Sequence, residues 1–402
     1  LRLSRGLGDV YKRQELERWG LALRRREGGL PHASAAPGHK TPRLTGCGDS
    51  TVREVTRLLE EQAIKRGIQR NADSIPLSIV SDNSQVRGVV TLDVPTGRID
   101  AIQAKAIILA TEGHQGLWSK PSDGSGTGSA LAISAGIDLK GMEITPRHPL
   151  TIRDCGIHIP LDVLGSGGRI RRENGEDVGP EEALEGEPCV LDLRQMDADA
   201  KVWFSQTSMR IMDRLGIDIS KDVIPLSPGV AYTTGGAPSD AQGRVVFQGH
   251  TTEGLPAELW HTGLYAAGRS AYTGMHGSNA LPGNLLLDDL VSGKTAGEHA
   301  SEWAKEIKFG GNTKIEEAVK GESARISSIM GGDGMAVAKF HSKLTSAISS
   351  GSSEEASLAE VRAIKDTGIS LADTSSIMNT EMVEALRLVG LASVAEVILT
   401  SG

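Results

Sequence analysis

An α/β fold in several parts is predicted for this chain, and three features of the sequence predict it. Alternating apolar residues between positions 75 and 110 lead to a short apolar run that ends in Thr-Glu-Gly. A second apolar run, Gly263 to Gly268, also ends in glycine, and a charged, glycine-rich stretch separates the two. Buried strands that end in glycine belong to sheets that hold a ligand at their edge.

The bulk numbers agree with a chain of several cores. With 402 residues, 39% of them hydrophobic, there is enough apolar surface for two or three domains. The 49 glycines stand against only 4 Phe, 4 Tyr and 5 Trp, as expected of a backbone that turns tightly and packs closely on something. The net charge of -8 is spread along the chain without a basic block, so nucleic acid is not an expected partner. No run of 18 apolar residues occurs, and no direct membrane span is expected, although docking on a membrane subunit stays open. Cys47, Cys155 and Cys189 are far apart and form no C-x-x-C. They read as small core or loop residues of a reducing compartment, and no metal site is expected.

The elements follow in order. Residues 1–14 lack an apolar signal region and read as extraneous, and Gly6-Leu7-Gly8 lacks the preceding strand and third glycine of a dinucleotide fingerprint. Residues 29–48, rich in Gly, Pro, Ser and His, read as loop. Thr51-Val-Arg-Glu54 matches a capping box, with Val52, Val55, Leu59 and Ala63 following at helical spacing, which predicts a helix over 51–66. Ile75, Leu77 and Ile79 alternate with polar residues, as do positions from Val86 to Leu92, around the turn Ser81-Asp-Asn-Ser84: a hairpin. Pro95-Thr-Gly97 turns the chain towards a buried strand at Ala104–Ala110, and Gly126 to Gly136 is a glycine-spaced loop entering a helix with Leu131 and Ile133. From Arg147 to Ile224 periods are few apart from a helix over 202–215, so this stretch reads as an inserted domain. A helix is predicted from Leu285 to Lys305 and helical periods continue beyond it; no solenoid repeat is present.

Seven ordered segments carry a resemblance. They are A-K-A-I-I-L-A-T-E-G (104–113), G-S-A-L-A-I-S-A-G (128–136), M-E-I-T-P-R-H-P (142–149), A-Y-T-T-G-G (231–236), G-L-Y-A-A-G (263–268), H-G-S-N-A-L-P-G-N-L-L-L (276–287) and M-N-T-E-M (378–382). In order and spacing the chain resembles the succinate dehydrogenase/fumarate reductase flavoprotein subunit family, which also includes L-aspartate oxidase, from roughly residue 45 to 400. The resemblance implies an α/β FAD-binding Rossmann-like domain, incomplete here, with an inserted α+β capping domain and a C-terminal helical domain. The divisions expected are 15–146 and 225–300 for the FAD-binding domain, 147–224 for the capping domain and 301–402 for a truncated helical domain. The family's glycine fingerprint for the FAD pyrophosphate is absent, so a fragment that binds FAD poorly by itself is expected.

The family's chemistry moves a hydride between a C–C bond and FAD. It therefore needs cations on the substrate carboxylates and a proton carrier. By the resemblance, the shuttle arginine of G-x-R-G-E-G-G falls on Leu164 and its glutamate on Ser166, the clamping histidine on Ala231 and the clamping arginine on Ala280. Each lost charge-assisted contact would cost roughly 2–4 kcal/mol of transition-state stabilisation. His148, with Arg147 and Tyr232, is left for catalysis and substrate contact. For the cofactor the resemblance implies Thr111, Gly113, Gly268, His276, Asn284, Leu285 and Leu286, with Glu112, Thr127 and Arg269 departing from the family pattern. The expectation is an FAD-dependent oxidoreductase of a small organic acid, cytoplasmic or peripheral on the inner face of the membrane beside an iron–sulfur subunit. The alternative is a non-catalytic subunit of a respiratory-type complex.

Overall fold

The computed structural model describes residues 13–118 and 124–401. Gly6-Leu7-Gly8 lies outside the described residues, and of the 1–14 segment only residues 13 and 14 are described; they begin a helical stretch running to residue 19. Along the chain come α1 (Thr51–Lys65), β1 (Ser74–Asp82), β2 (Gln85–Asp93), β3 (Arg98–Gln103), β4 (Ile107–Leu109) and α2 (Thr127–Ser134). These are followed by β5 (Arg169–Arg172), β6 (Asp177–Val178), β7 (Cys189–Asp192), α3 (Ala198–Trp203), α4 (Ser205–Leu215) and β8 (Ile224–Leu226). Then come β9 (Arg244–His250), β10 (Pro256–Ala266), α5 (Asn284–Glu306), α6 (Thr313–Met330), α7 (Val337–Ser349), α8 (Glu354–Thr367) and α9 (Thr380–Thr400).

The described chain divides into two compact units. The first gathers residues up to Arg70, Arg147–Ala231 and Asn279–Val291; the second gathers Asn71–Pro146, Tyr232–Ser278 and the chain from Ser292 onwards.

The second unit is built on a six-stranded sheet. β1, β2 and β3 form an antiparallel meander, β9 pairs antiparallel with β10, and β10 runs parallel to β4 through Leu264↔Ile107, Tyr265↔Ile108 and Ala266↔Leu109. The hairpin expected around residues 81–84 is present. Its tip places Asn83 and Ser84 at φ of 49° and 57°, the left-handed pair that matches the twist of a two-residue hairpin. β1 and β2 bury both faces: Ile79 and Val86 join one core with Leu131, Phe340, Leu344, Leu388 and Leu391, while Leu77, Val80, Val90 and Leu92 pack on Ile326, Met382 and Leu386. Burying each such aliphatic chain stabilises the fold by about 1.5–3 kcal/mol. The strand expected at Gly263–Gly268 begins earlier, at Pro256, because Gly263 takes a φ of 82° where the register to β9 shifts, and its two halves read as unrelated in sequence.

In the first unit, β5, β6, β7 and β8 form a four-stranded antiparallel sheet in the order β6-β5-β7-β8, over a core of Leu150, Ile152, Ile159, Val163, Leu191, Phe204 and Ile211. Two expectations need correction here. The helix read over 202–215 is broken at Phe204, whose buried ring joins this core and whose backbone leaves helical geometry at φ -112°, ψ 25°. α1 is present, but its capping box is not. Ser50 precedes the helix, and the Thr51 hydroxyl donates to Gly48 O at 2.6 Å and accepts from Cys47 N at 3.0 Å, tying the loop before the helix. Glu54 turns to Arg53 and Arg57. The buried stripe is Val55 and Leu58, packed with Leu16, Leu21 and Leu23, while Val52 and Leu59 face solvent.

Among the described residues no helix is long and apolar enough to cross a membrane, and no three His, Cys, Asp or Glu side chains gather as a metal site.

Candidate functional site

The parallel pair β4 and β10 ends side by side, and both following loops turn off the sheet at that edge. Ligands of open α/β sheets sit in such places, beyond the carboxyl ends of parallel strands. The two loops are tied together by Ser270, a buried residue whose hydroxyl accepts from Thr111 N at 2.8 Å, donates towards Thr111 O at 3.0 Å and lies 2.9 Å from Thr111 Oγ1. The Thr111 hydroxyl in turn accepts from Gly128 N at 3.0 Å, which fixes the start of α2 against the same loop. Gly268 opens the second loop at a φ of 56°, a conformation suited to glycine, and its N–H donates to Ser292 Oγ at 2.8 Å.

Gly113 has no room for a side chain. A Cβ there would sit 2.2 Å from Thr233 Oγ1 and 2.9 Å from Gln115 Oε1. Thr233 accepts from His114 N at 3.0 Å, so the 111–114 loop lies directly on the Thr233-Thr-Gly-Gly236 segment. His114 is buried, and burial alone pushes its imidazole down to about 4, leaving it neutral at pH 7. Glu112 accepts from Gly124 N, which gives this carboxylate a partner in its own loop region. Three buried polar atoms border the loop without any partner: Gln115 Oε1, Ser129 Oγ and Thr234 Oγ1. Tyr232 and His276 also belong to this unit, Tyr232 one residue before Thr233 and His276 on the loop after β10.

The remaining expected residues fall in the first unit. His148 is held by reciprocal backbone bonds with Gly229, and its Nε2 lies 2.8 Å from Ile159 O. Burial lowers its pKa, with the Ile159 carbonyl opposing. The His158 ring stands edge-on to it, 5.7 Å between centroids at 85°. Arg147 is exposed and donates to Pro228 O at 3.0 Å. Leu164 lies in a short 3-10 turn, Leu161–Ser166, and rests against the core of its own unit. Two residues before it, burial and the charge of Asp49 push Asp162 up to about 6. Ala231 and Ala280 belong to the same unit as Leu164 and His148. Asn284 begins α5, so the amides of Leu285 and Leu286 lie in its first turn, where no helical carbonyl is available to them.

Sequence reasoning named the threonine and glycine of the strand-end loop, Thr111 and Gly113, but not the residues that the structure sets beside the named ones, Ser270, Thr233, His114 and His158. Ser270 and Thr233 act on partners more than 100 residues away in the chain, and no local pattern announces such a pairing. His158 has only its spacing of ten from His148 to mark it.

The sequence profile described as FAD binding domain matches residues 11–208 and 178–286 of this chain. The fumarate reductase flavoprotein subunit of Escherichia coli K12 is 26% identical over 93% of this chain and 69% of its own length. The 8-methylmenaquinol:fumarate reductase flavoprotein subunit of Wolinella succinogenes is 27% identical over 80% of this chain and 56% of its own length, and the succinate dehydrogenase flavoprotein subunit of Rickettsia bellii is 26% identical over 93% and 70%. Among solved structures, the FrdA chain of E. coli quinol fumarate reductase superposes with a TM-score of 0.86 at 23% identity, covering 98% of this chain and 74% of that one. Adenylylsulfate reductase from Archaeoglobus fulgidus superposes at 0.70 and 14%, covering 99% and 74%. At these identities the structures show a shared fold.

Proposed function

This chain belongs to the FAD binding domain family, and on that premise we propose that it is the flavin-holding part of an oxidoreductase related to the succinate dehydrogenase and fumarate reductase flavoproteins. The observation that carries the reading is the paired end of β4 and β10, whose loops are joined by Ser270 and Thr111.

The residues present fit FAD at this edge. Gly113 leaves no room for a Cβ beside Thr233, Gly268 turns its loop at a positive φ, and Gln115 Oε1, Ser129 Oγ and Thr234 Oγ1 are buried polar atoms in want of a partner. Such orphans are rare in folded proteins and call for an explanation; a polar ligand along the loop supplies one. Thr111, Gly113 and Gly268 would then hold the cofactor, with His276 ordering its loop; by the family resemblance alone we also assign it Asn284, Leu285 and Leu286, whose first-turn amides in α5 suit a negative charge. When bound, FAD supplies the two-electron acceptor or donor for hydride transfer.

For the substrate we assign His148, Arg147 and Tyr232. Arg147 offers a cation for one carboxylate, Tyr232 a hydroxyl, and His148 a neutral imidazole able to take a proton. Leu164, Ala231 and Ala280 offer neither charge nor proton, so the expected substrate is a small organic acid other than succinate or fumarate. As the relatives are flavoprotein subunits by name, we further propose a partner subunit carrying iron–sulfur clusters and a peripheral place on the inner face of the membrane. The packing of Leu164 into the core of its own unit favours a second reading, a subunit that keeps the fold without turnover. Purifying the protein with FAD and following flavin absorbance against a panel of dicarboxylates, hydroxy acids and amino acids separates the two. Bound FAD that is reduced or reoxidised by a panel member supports the oxidoreductase, and bound FAD inert to every member supports the subunit.

A further inference from the structure

Within the first unit, the segment ahead of α1 is locked onto the turn ahead of α5. Pro37 and Pro42 stiffen this segment, and His39 N–H closes a turn on Ala36 O at 3.2 Å. Two glycines mark how closely the chains approach: a Cβ at Gly38 would sit 2.6 Å from Leu281 Cδ2, and one at Gly283 would sit 2.6 Å from Leu44 Cδ2. His39 joins the two sides. Its Nε2 lies 2.9 Å from Pro282 O, which only accepts, so Nε2 carries the hydrogen and Nδ1 the lone pair, to which Arg43 Nε donates at 2.7 Å.

Arg43 is thereby held without being neutralised. An imidazole lone pair carries no charge, whereas Arg25, Arg53, Arg57 and Arg70 of the same unit each face a glutamate. Arg43 is exposed, and its Nη1 and Nη2 meet no partner among the described residues. The other charged groups of the packed segments are Lys40, Asp288 and Asp289, with Asp162 on the 161–166 turn against which Ala35 lies. Among the described residues none of these bonds to Arg43 or His39. A guanidinium fixed through Nε presents its remaining N–H groups as a preformed fork, and that fork matches a carboxylate. The turn that holds it follows directly on Ala280, one of the positions without a charge.

Resting on the oxidoreductase reading above, we infer that Arg43 binds a carboxylate of the organic acid, with His39 as the residue that positions it.

The test titrates malonate, neutral malonamide and inorganic phosphate into the full-length, FAD-loaded protein and follows the arginine Nε–H resonances by nitrogen-15 NMR, with Arg43→Gln for assignment. Malonate should shift Arg43 saturably and malonamide should not. Arg43→Gln should weaken malonate binding roughly tenfold or more, as losing hydrogen bonds to a charged group does. His39→Leu should weaken it similarly, His39→Gln should restore it by keeping one donor and one acceptor, and Lys40→Gln should leave it unaltered. An Arg43 signal that malonate does not move, tighter binding of phosphate than of malonate, equal weakening in Lys40→Gln, or a His39→Gln variant no better than His39→Leu overturns the inference. The two readings fail separately. Flavin reduced by an organic acid whose KM is unchanged in Arg43→Gln sinks this inference alone, and malonate bound at Arg43 in a protein whose flavin no acid reduces or reoxidises sinks the oxidoreductase reading alone.

Discussion

Replacing Ser270 by alanine removes the hydroxyl that joins the two strand-end loops. Thr111 N–H and Thr111 C=O lose their partner at 2.8 and 3.0 Å, and each orphaned group costs roughly 1–3 kcal/mol where water cannot replace the bond. Ser270 is buried while Thr111 is only half-buried, so the lower part of that range applies, and a loss of about 3 kcal/mol in total is expected. If the loops form the cofactor bed, part of this loss reappears as weaker binding, and every 1.4 kcal/mol is about tenfold in Kd. Urea denaturation and FAD titration by fluorescence on the same preparations measure both quantities, with at least a tenfold rise in Kd expected. Asn379→Ala is the control. The buried Asn379 caps α9 through Met382 N at 2.7 Å and donates to Asp373 O and Ser375 O, so its loss should lower stability by about 2 kcal/mol with FAD affinity unchanged. An unaltered Kd in Ser270→Ala, or an equal weakening in Asn379→Ala, would refute the reasoning.

Other outcomes follow from the same geometry. Gly113→Ala forces a Cβ to within 2.2 Å of Thr233 Oγ1 and should destabilise by about 1–3 kcal/mol, as overpacking does; adding Thr233→Ala should recover part of it, so a strictly additive double variant in urea melts would show that the two sites do not touch. His114 is held near 4 in the fold against 6.5 free. Its neutral form stabilises the fold fully above pH 6.5, and this contribution, about 3 kcal/mol at most, is lost as pH falls from 6.5 towards 4. Denaturation midpoints at pH 7, 5.5 and 4 should fall accordingly, and His114→Phe should flatten the profile; an unchanged slope would place His114 in contact with solvent.

Much of the sheet was legible because its strands carry their own signals. The β1–β2 hairpin shows alternation on both sides of an Asp-Asn turn, and β4 and β10 end in glycine. β9 gave no signal: Arg244 to His250 holds only Val245, Val246 and Phe247 as apolar residues, and its pairing with β10 is broken by the bulge at Gly263. The Thr51 capping box failed because the same hydroxyl serves the Gly48 turn better, a choice set by the loop before the helix rather than by the helix itself. The helix across Phe204 failed because tertiary burial of one ring outweighed a continuous helical period. Among the proposed cofactor contacts, Thr111, Gly113 and Gly268 were named from local pattern, being residues that follow strands. Ser270, Thr233 and His158 could not, since their roles exist only once distant segments meet.

The most direct test introduces the cations that the proposed function holds to be absent. In full-length protein carrying reduced FAD, fumarate should leave the flavin reduced, whereas the combined variant Leu164→Arg, Ala231→His, Ala280→Arg should let fumarate reoxidise it. Rapid reoxidation by fumarate in the unaltered protein would contradict the view that its dicarboxylate contacts are gone.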